Sequence, residues 1–453
     1  MRSVIRNGRV AQADGLRELD VLLEDGRILD LGHGFKADRE IDAAGCYVLP
    51  GFMDFHTHVD DHIGRFYLAD SYETATRQAL VNGITSLATF VTQAEGQTLR
   101  QAMAAAWAKA LDRSHCDVLW HLTPTTFAPG DLAFLEAAIG SGYRTIKLYT
   151  TYRPAGLYAS YQRLEELFNG LGGLGVTFMV HCEDDGIIAG IDREGMDFSK
   201  AATHALLRPE AAELEAIRRL IGIAQATGAS MHVVHVSTVG GARMLLEARQ
   251  EGDITCETCP QYLVLDASWL DRADGHRWLC SPPLRNDREA FRQLAREGAF
   301  EVIATDHCPF RPQDKDSWNG LDIRQVPNGL PGLGALPHVT WKIWEDDPDR
   351  AALGLATHLS TNPALRAGVG DRKGAILPGL DADLVVLDPN GPTHPIRSAG
   401  VPAFEPFPGL TTNLHFRTVL LRGVPRVQDG RLLEPDRPLG IPLQPDPETL
   451  PIF

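Results

Sequence analysis

Gly51-Phe-Met-Asp-Phe-His-Thr-His58 is the stretch on which the reading of this chain turns. A short apolar run closing in His-x-His has the pattern of a buried strand, on which residues two apart project from one face. His56 and His58 therefore aim at one point. Two neutral imidazoles on a rigid strand supply half of a zinc-type site, because imidazole suits Zn, Fe, Ni and Cu. The alternative is a pair of hydrogen-bonded histidines at a strand end. Which holds depends on whether later strands bring further ligands.

Outward from this stretch, apolar strand-like runs alternate with helix-like segments. The runs are Phe52 to His56, Ile84 to Val91, Cys116 to Leu122, Thr145 to Tyr149, Val176 to His181, Met231 to Val236, Ile254 to Glu257 and Val302 to Asp306. Amphipathic stretches such as Asp70 to Val81, Leu99 to Leu111 and Glu210 to Thr227 lie between several of them. Eight strand-helix units predict an α/β chain built as a (β/α)8 TIM-like barrel. Before residue 51 the pattern is different. Val4-Ile-Arg-Asn-Gly8-Arg-Val and Asp20-Val-Leu-Leu-Glu-Asp-Gly26-Arg-Ile-Leu-Asp-Leu each predict a hairpin. Short strands return in Asp381-Ala-Asp-Leu-Val-Val-Leu-Asp388 and Thr418-Val-Leu-Leu-Arg-Gly-Val. Both chain ends are thus expected to complete one small β-sandwich, from residues 1–50 and 374–434, around a barrel of residues 51–373. Residues 435–453 carry six prolines and cannot be a helix. They predict an extended arm, disordered or draped over a neighbour.

Composition narrows the partners. A net charge of −16 with no long basic run excludes a phosphate backbone and an anionic membrane surface as natural partners. No window reaches the length of a membrane span and the N-terminus lacks an apolar signal core, so the expected location is cytoplasmic. Seven scattered cysteines fit reduced thiols rather than a disulfide framework. Cys256-Glu-Thr-Cys259 has no second pair to complete a zinc site, and two half-buried thiols at a strand end explain it.

Catalytic side chains of such barrels gather at the C-terminal ends of the strands, and polar groups stand there. Lys147 follows Ile146, His181 follows Met179-Val, His235 follows Val233-Val, and Asp306 follows Ala304-Thr. Each has a plain alternative: a satisfied core histidine for His181 or His235, a helix cap for Asp306, a rim ion pair for Lys147. Their joint placement on strand ends beside His-x-His favours one metal-dependent centre.

This set resembles the cyclic amide hydrolases of the amidohydrolase superfamily, the branch of dihydropyrimidinases, hydantoinases, allantoinases and dihydroorotases. The resemblance runs nearly end to end through Pro50-Gly-Phe-Met-Asp-Phe-His-Thr-His, Ile146-Lys-Leu-Tyr-Thr-Thr-Tyr152, His204-Ala-Leu-Leu-Arg-Pro-Glu, His232-Val-Val-His-Val-Ser-Thr, Glu257-Thr-Cys-Pro-Gln-Tyr-Leu, Cys280-Ser-Pro-Pro-Leu-Arg and Lys373-Gly-Ala-Ile-Leu-Pro-Gly-Leu-Asp-Ala-Asp. It implies two divalent ions, with zinc expected: His56, His58, Lys147 and Asp306 around one, Lys147, His181 and His235 around the other. Lys147 would bridge them as a CO2-derived carbamate. A hydroxide shared by the metals would open the ring amide of a small cyclic ureide or imide. Asp306 would move the proton, Tyr152 would donate to the oxyanion, and the main chain at Ser281 and Asn328 would bind the ring amides. Assembly as a homodimer or homotetramer is expected.

The branch divides on substrate. Dihydroorotases place an arginine where this chain has Asp60, with Arg65 and Arg153 as candidate replacements, a solvated loop charge being the alternative for each, whereas His307 after Asp306 is a dihydroorotase and allantoinase feature. Ser281-Pro-Pro-Leu-Arg285 and Pro327-Asn-Gly329 favour the hydantoinase side. The expected substrate is a neutral dihydropyrimidine- or hydantoin-type ring; the alternative is a dihydroorotase or allantoinase. Non-enzymatic assembly proteins of the same fold have lost metal ligands, and this chain keeps every one. Loops Val59 to Leu68 and Thr150 to Ser160 are expected to roof the substrate pocket with Ile63, Phe66, Tyr67, Leu157 and Tyr158.

Overall fold

The computed structural model describes residues 2–127, 129–398, 401 and 404–451. Eight parallel strands follow one another in sequence order around a barrel: Phe52–Thr57, Ile84–Thr92, Asp117–Thr123, Thr145–Tyr149, Thr177–His181, Ser230–Val233, Ile254–Thr258 and Val302–Ile303. Helices flank them on the outside, so the strands are buried on both faces and read as continuous apolar runs rather than alternating ones. Strands one and eight are joined by side-chain chemistry as well as backbone. Thr57 bridges to His307, the His58 amide donates to the His307 carbonyl at 2.7 Å, and the Asp54 carboxylate accepts from the Thr305 amide (3.0 Å) and hydroxyl (2.5 Å).

Two of the strands are shorter than the apolar runs that announced them. The sixth ends at Val233 rather than Val236, and the eighth at Ile303 rather than Asp306. The cause is local: His235 (φ 40°) and Asp306 (φ 51°) are in the left-handed region, which costs a residue with a Cβ about 1 kcal/mol or more. Such strain persists where the surroundings over-determine it, and it concentrates at functional sites. Here it turns two ligand candidates out of their ladders.

The sandwich draws on both chain ends. Leu384–Asp388 pairs antiparallel with Tyr47–Pro50, within a seven-stranded sheet that faces a four-stranded one. The Asp25-Gly26 turn forms the expected hairpin, both residues having positive φ. The expected hairpin at Asn7-Gly8 does not form. Arg2–Arg6 pairs with strands Asp20–Glu24 and Arg39–Asp42 of one sheet, while Arg9–Gln12 crosses into the other. A buried charge cluster fixes sandwich to barrel: Lys373 Nζ lies 2.6 Å from Asp117 and 3.1 Å from Asp381, and also bonds Asp383.

Residues 435–451 of the proline-rich arm are extended and lie on their own barrel, which corrects the expectation of disorder or of a neighbour. Strand three pairs fully with strand two yet meets strand four only at Leu122 and Ile146. The arm fills the gap. Val118 donates to the Ile441 carbonyl at 3.0 Å and accepts from the Leu443 amide at 2.8 Å. Two residues on, the Gln444 side-chain amide imitates a peptide unit, accepting from the Trp120 amide (2.7 Å) and donating to its carbonyl (3.0 Å). The approach is so close that a Cβ on Gly440 would meet the Cys116 carbonyl oxygen at 1.9 Å.

Candidate metal centre

His56, His58 and Asp306 each offer one donor atom, and the three atoms lie within 4.8 Å of one another. His56 and His58 come from strand one; Asp306 comes across the closure of the barrel, its Oδ1 3.2 Å from His56 Nε2 and 3.3 Å from His58 Nε2. A second pair adjoins them. His181 Nδ1 lies 3.0 Å from His235 Nε2, and the His235 ring is 5.4 Å from the His56 ring. Lys147 is 1% exposed, its Nζ 5.1 Å from the ring centres of both Phe90 and Tyr149. Phe90 packs on His56 and His58, and Tyr149 on His181, so the amine stands between the two groups of ligands.

Burial in an apolar surround disfavours charge, and the site's titration follows from that. It pushes the Lys147 amine down to about 8. It also holds His58, His181 and His235 below the ordinary histidine value, with nearby Lys147 adding to the effect. Neutral imidazole is the ligand form. Asp306 is held charged instead: burial is the largest single effect and would raise it, but His56, His58 and His235 together outweigh burial and keep it well below the usual carboxylate range.

Two carboxylates not foreseen as site residues orient the histidines. Glu257 bonds His56 Nδ1, and Glu183 Oε2 is 2.7 Å from His181 Nε2. Each bond assigns the proton to the nitrogen facing the carboxylate, leaving the other nitrogen's lone pair directed at the centre. Burial is the largest single effect and opposes a charged His56, yet Glu257 and Asp306 together outweigh it and raise the imidazole's basicity. Glu257 also lies 3.3 Å from His232 Nε2. The signal was present in the sequence as a carboxylate inside an apolar strand, Ile254-Thr-Cys-Glu257, where an unpaired charge is untenable. The donor set fits divalent cations: the His56 and His181 tautomers are fixed from behind by carboxylates, His181 Nδ1 and His235 Nε2 face each other with their lone pairs free to share a cation, and Asp306 is an ionised carboxylate.

Of the remaining predicted residues, Tyr152 adjoins this centre through His181. Tyr152 is half-buried at φ 65°, its ring 5.0 Å from that of His181, and its desolvated position pushes the phenol up to about 12. It is therefore a protonated donor at neutral pH. Ser281 is buried, its Oγ 3.3 Å from His204 Nε2. Asn328 is half-buried in a loop whose Gly329 amide donates to the Leu279 carbonyl at 2.9 Å, which brings the Ser281 and Asn328 loops side by side. The two arginines weighed as carboxylate partners are engaged elsewhere. Arg153 bonds Asp185 at 2.9 Å and stacks on Tyr158, and Arg65 lies over Phe66. Asp60 is held by the Tyr67 hydroxyl and by Lys109, 3.9 Å away, so its charge is partly offset. Phe66 packs on Phe310, with Ile63 in the same cluster.

All seven cysteines are buried free thiols, Cys256 and Cys259 among them. No helix among the described residues is long and apolar enough to cross a membrane.

Comparison with known proteins agrees with this geometry. The amidohydrolase family model matches residues 47–425. D-hydantoinase of Streptomyces coelicolor is 31% identical, over 94% of this chain and 95% of that protein. D-phenylhydantoinase of Escherichia coli is 34% identical over 86% of each. The crystal structure of dihydropyrimidinase from Brevibacillus agri superposes with a TM-score of 0.92 at 28% identity, covering 100% of this chain and 99% of that one. With the family model spanning most of the chain and the fold and sequence similarity running along nearly its whole length, the chain belongs to the amidohydrolase family, as a hydantoinase-like member.

Proposed function

We propose that this protein hydrolyses the ring amide C–N bond of a neutral cyclic ureide or imide of the dihydropyrimidine or hydantoin type. The observation that carries the proposal is the convergence of His56, His58 and Asp306 on one point beside the His181–His235 pair, with the buried Lys147 amine between them. His56, His58, Asp306 and Lys147 would hold one divalent ion and Lys147, His181 and His235 a second, zinc being the metal that suits the donors. Lys147 serves as a carbamate, since a desolvated amine near pKa 8 is partly neutral at physiological pH and adds CO2 to become anionic. When bound, the ions supply Lewis acidity, lowering the pKa of water and polarising the scissile carbonyl.

The chain's own groups do the rest. As water adds to the ring carbonyl carbon, an Asp306 carboxylate oxygen takes its proton and then delivers it to the departing amide nitrogen as the C–N bond breaks. The product is an open-chain ureido or amido acid. Tyr152 donates its hydroxyl hydrogen to the carbonyl oxygen as charge develops there. The main chain at Ser281 and Asn328 holds the ring amides. Ile63, Phe66, Tyr67, Leu157 and Tyr158 favour an uncharged exocyclic group. Assembly as a homodimer or homotetramer and a cytoplasmic location, in keeping with seven reduced thiols, belong to the same proposal.

The test is hydrolysis of dihydrouracil, phenylhydantoin, allantoin and dihydroorotate side by side. Neutral rings should exceed dihydroorotate in kcat/KM by at least about tenfold, the equivalent of 1.4 kcal/mol. A preference for dihydroorotate that Arg65→Ala or Arg153→Ala abolishes would overturn the proposal in favour of a dihydroorotase.

A further inference from the structure

Ahead of the long helix Glu210–Thr227, the segment between barrel strands five and six carries the short helix Thr203–Leu207. His204, buried on that helix, has its Nε2 2.8 Å from the Cys280 carbonyl and 3.3 Å from the Ser281 hydroxyl. Arg208 follows the helix directly, and its side chain is 11% exposed. Its guanidinium carbon lies over the Tyr152 ring, 4.6 Å from the centre, while Nη1 donates to Glu183, the carboxylate that holds His181. The Arg208 carbonyl accepts from Arg285 Nη1 at 2.8 Å, which fixes the backbone from which the side chain starts.

Tyr152 needs such a support. Its backbone is in the left-handed region, and the loop that carries it runs on through the exposed residues Arg153 to Gly156. The ring meets His181 and Tyr149 at centroid distances of 5.0 and 6.0 Å, and Arg208 is the cation that lies over it. An arginine suits the position because its planar group stacks on an aromatic face while its N–H groups bond a carboxylate in the same plane; an ammonium cannot do both. A plainer role also exists, that of a counter-ion which only neutralises the buried Glu183.

We infer that Arg208 is a positioning residue: stacked on Tyr152 and anchored by Glu183, it holds the phenol where the carbonyl oxygen of the substrate becomes an anion. The inference rests on the oxyanion role proposed for Tyr152. It differs from the counter-ion role in one respect, that its effect must pass through the Tyr152 hydroxyl.

R208Q strands Glu183 in the interior and endangers folding, so R208K, which keeps the charge and loses the planar face, carries the test. In the metal-loaded enzyme R208K should lower kcat about 10- to 100-fold, the scale of an ångström of misplacement, with KM within about threefold and bound metal unchanged. In a Y152F background the same substitution should change kcat by less than about threefold, because the group it aims is gone. A crystal structure of R208K should show the Tyr152 ring displaced from His181. Equal losses in both backgrounds, a Tyr152 ring that keeps its place, or metal lost in step with activity would each overturn the inference and leave Arg208 as a counter-ion. If Y152F alone retains turnover within about threefold of the parent, the oxyanion reading itself fails.

Discussion

His181 and His235 stand with Nδ1 of one 3.0 Å from Nε2 of the other, both rings buried and both held neutral by their surroundings. Two imidazole nitrogens that close compete for one proton unless a cation is shared between them. Purified protein should therefore carry close to two divalent ions per chain by elemental analysis, and chelation should abolish activity. His235→Asn should remove about one ion. Full activity in metal-free protein would sink the proposed centre.

Lys147 is expected to carry CO2. Nuclear magnetic resonance of protein equilibrated with 13C-bicarbonate should show one carbamate carbon that Lys147→Ala lacks. The same variant should lose its second ion and its turnover, and a small added carboxylate should restore part of the rate by standing in for the carbamate oxygens. Unchanged metal content and turnover in Lys147→Ala would remove this residue from the centre.

Deleting the Tyr152 hydroxyl should lower kcat about 10²- to 10³-fold with metal content intact, the usual effect of losing one oxyanion donor. A loss below about threefold would assign the ring to packing.

Stability should fall in acid for a reason remote from the metals. His338 is buried, its Nδ1 3.1 Å from the Thr412 hydroxyl and its Nε2 3.1 Å from Asn82 Oδ1, and burial pushes it down to about 3. A base depressed in the folded state stays neutral while the unfolded chain takes up a proton below about pH 6.5, so stability present above that pH is lost as it falls toward the folded value. This one group costs on the order of 2 kcal/mol between pH 7 and pH 5. Denaturant midpoints across that range should shift less in His338→Gln than in the parent; identical slopes would show that His338 titrates alike in both states.

The barrel and the His56-His58 pair were legible because the strongest signals are local. Apolar runs separated by amphipathic helices mark eight strands, and His56 and His58 share a face by the geometry of any strand. What escaped notice is set by tertiary demands. Val233-Val-His235-Val has every preference for extension, and only the site's geometry explains the left-handed turn at His235. Asn7-Gly8 announces a turn but not the sheet its exit strand joins. Arg208 and Glu183 form an ion pair across 25 residues that no period connects. Six prolines fix the arm's extended shape, while its partner strand lies more than three hundred residues away.

That last separation sets a clock. Trp120 and Gln444 are 324 residues apart, so the outer edge of strand three cannot be completed until the ribosome has made everything between them. At about 5 to 20 residues per second, roughly 15 to 65 s pass between synthesis of the strand and arrival of its partner. Through that interval the Val118 and Trp120 peptide groups are exposed, an open seam in a wall otherwise built in order. Chaperone capture during synthesis should therefore concentrate on strand three, and be prolonged when Gly440→Val keeps the arm from seating.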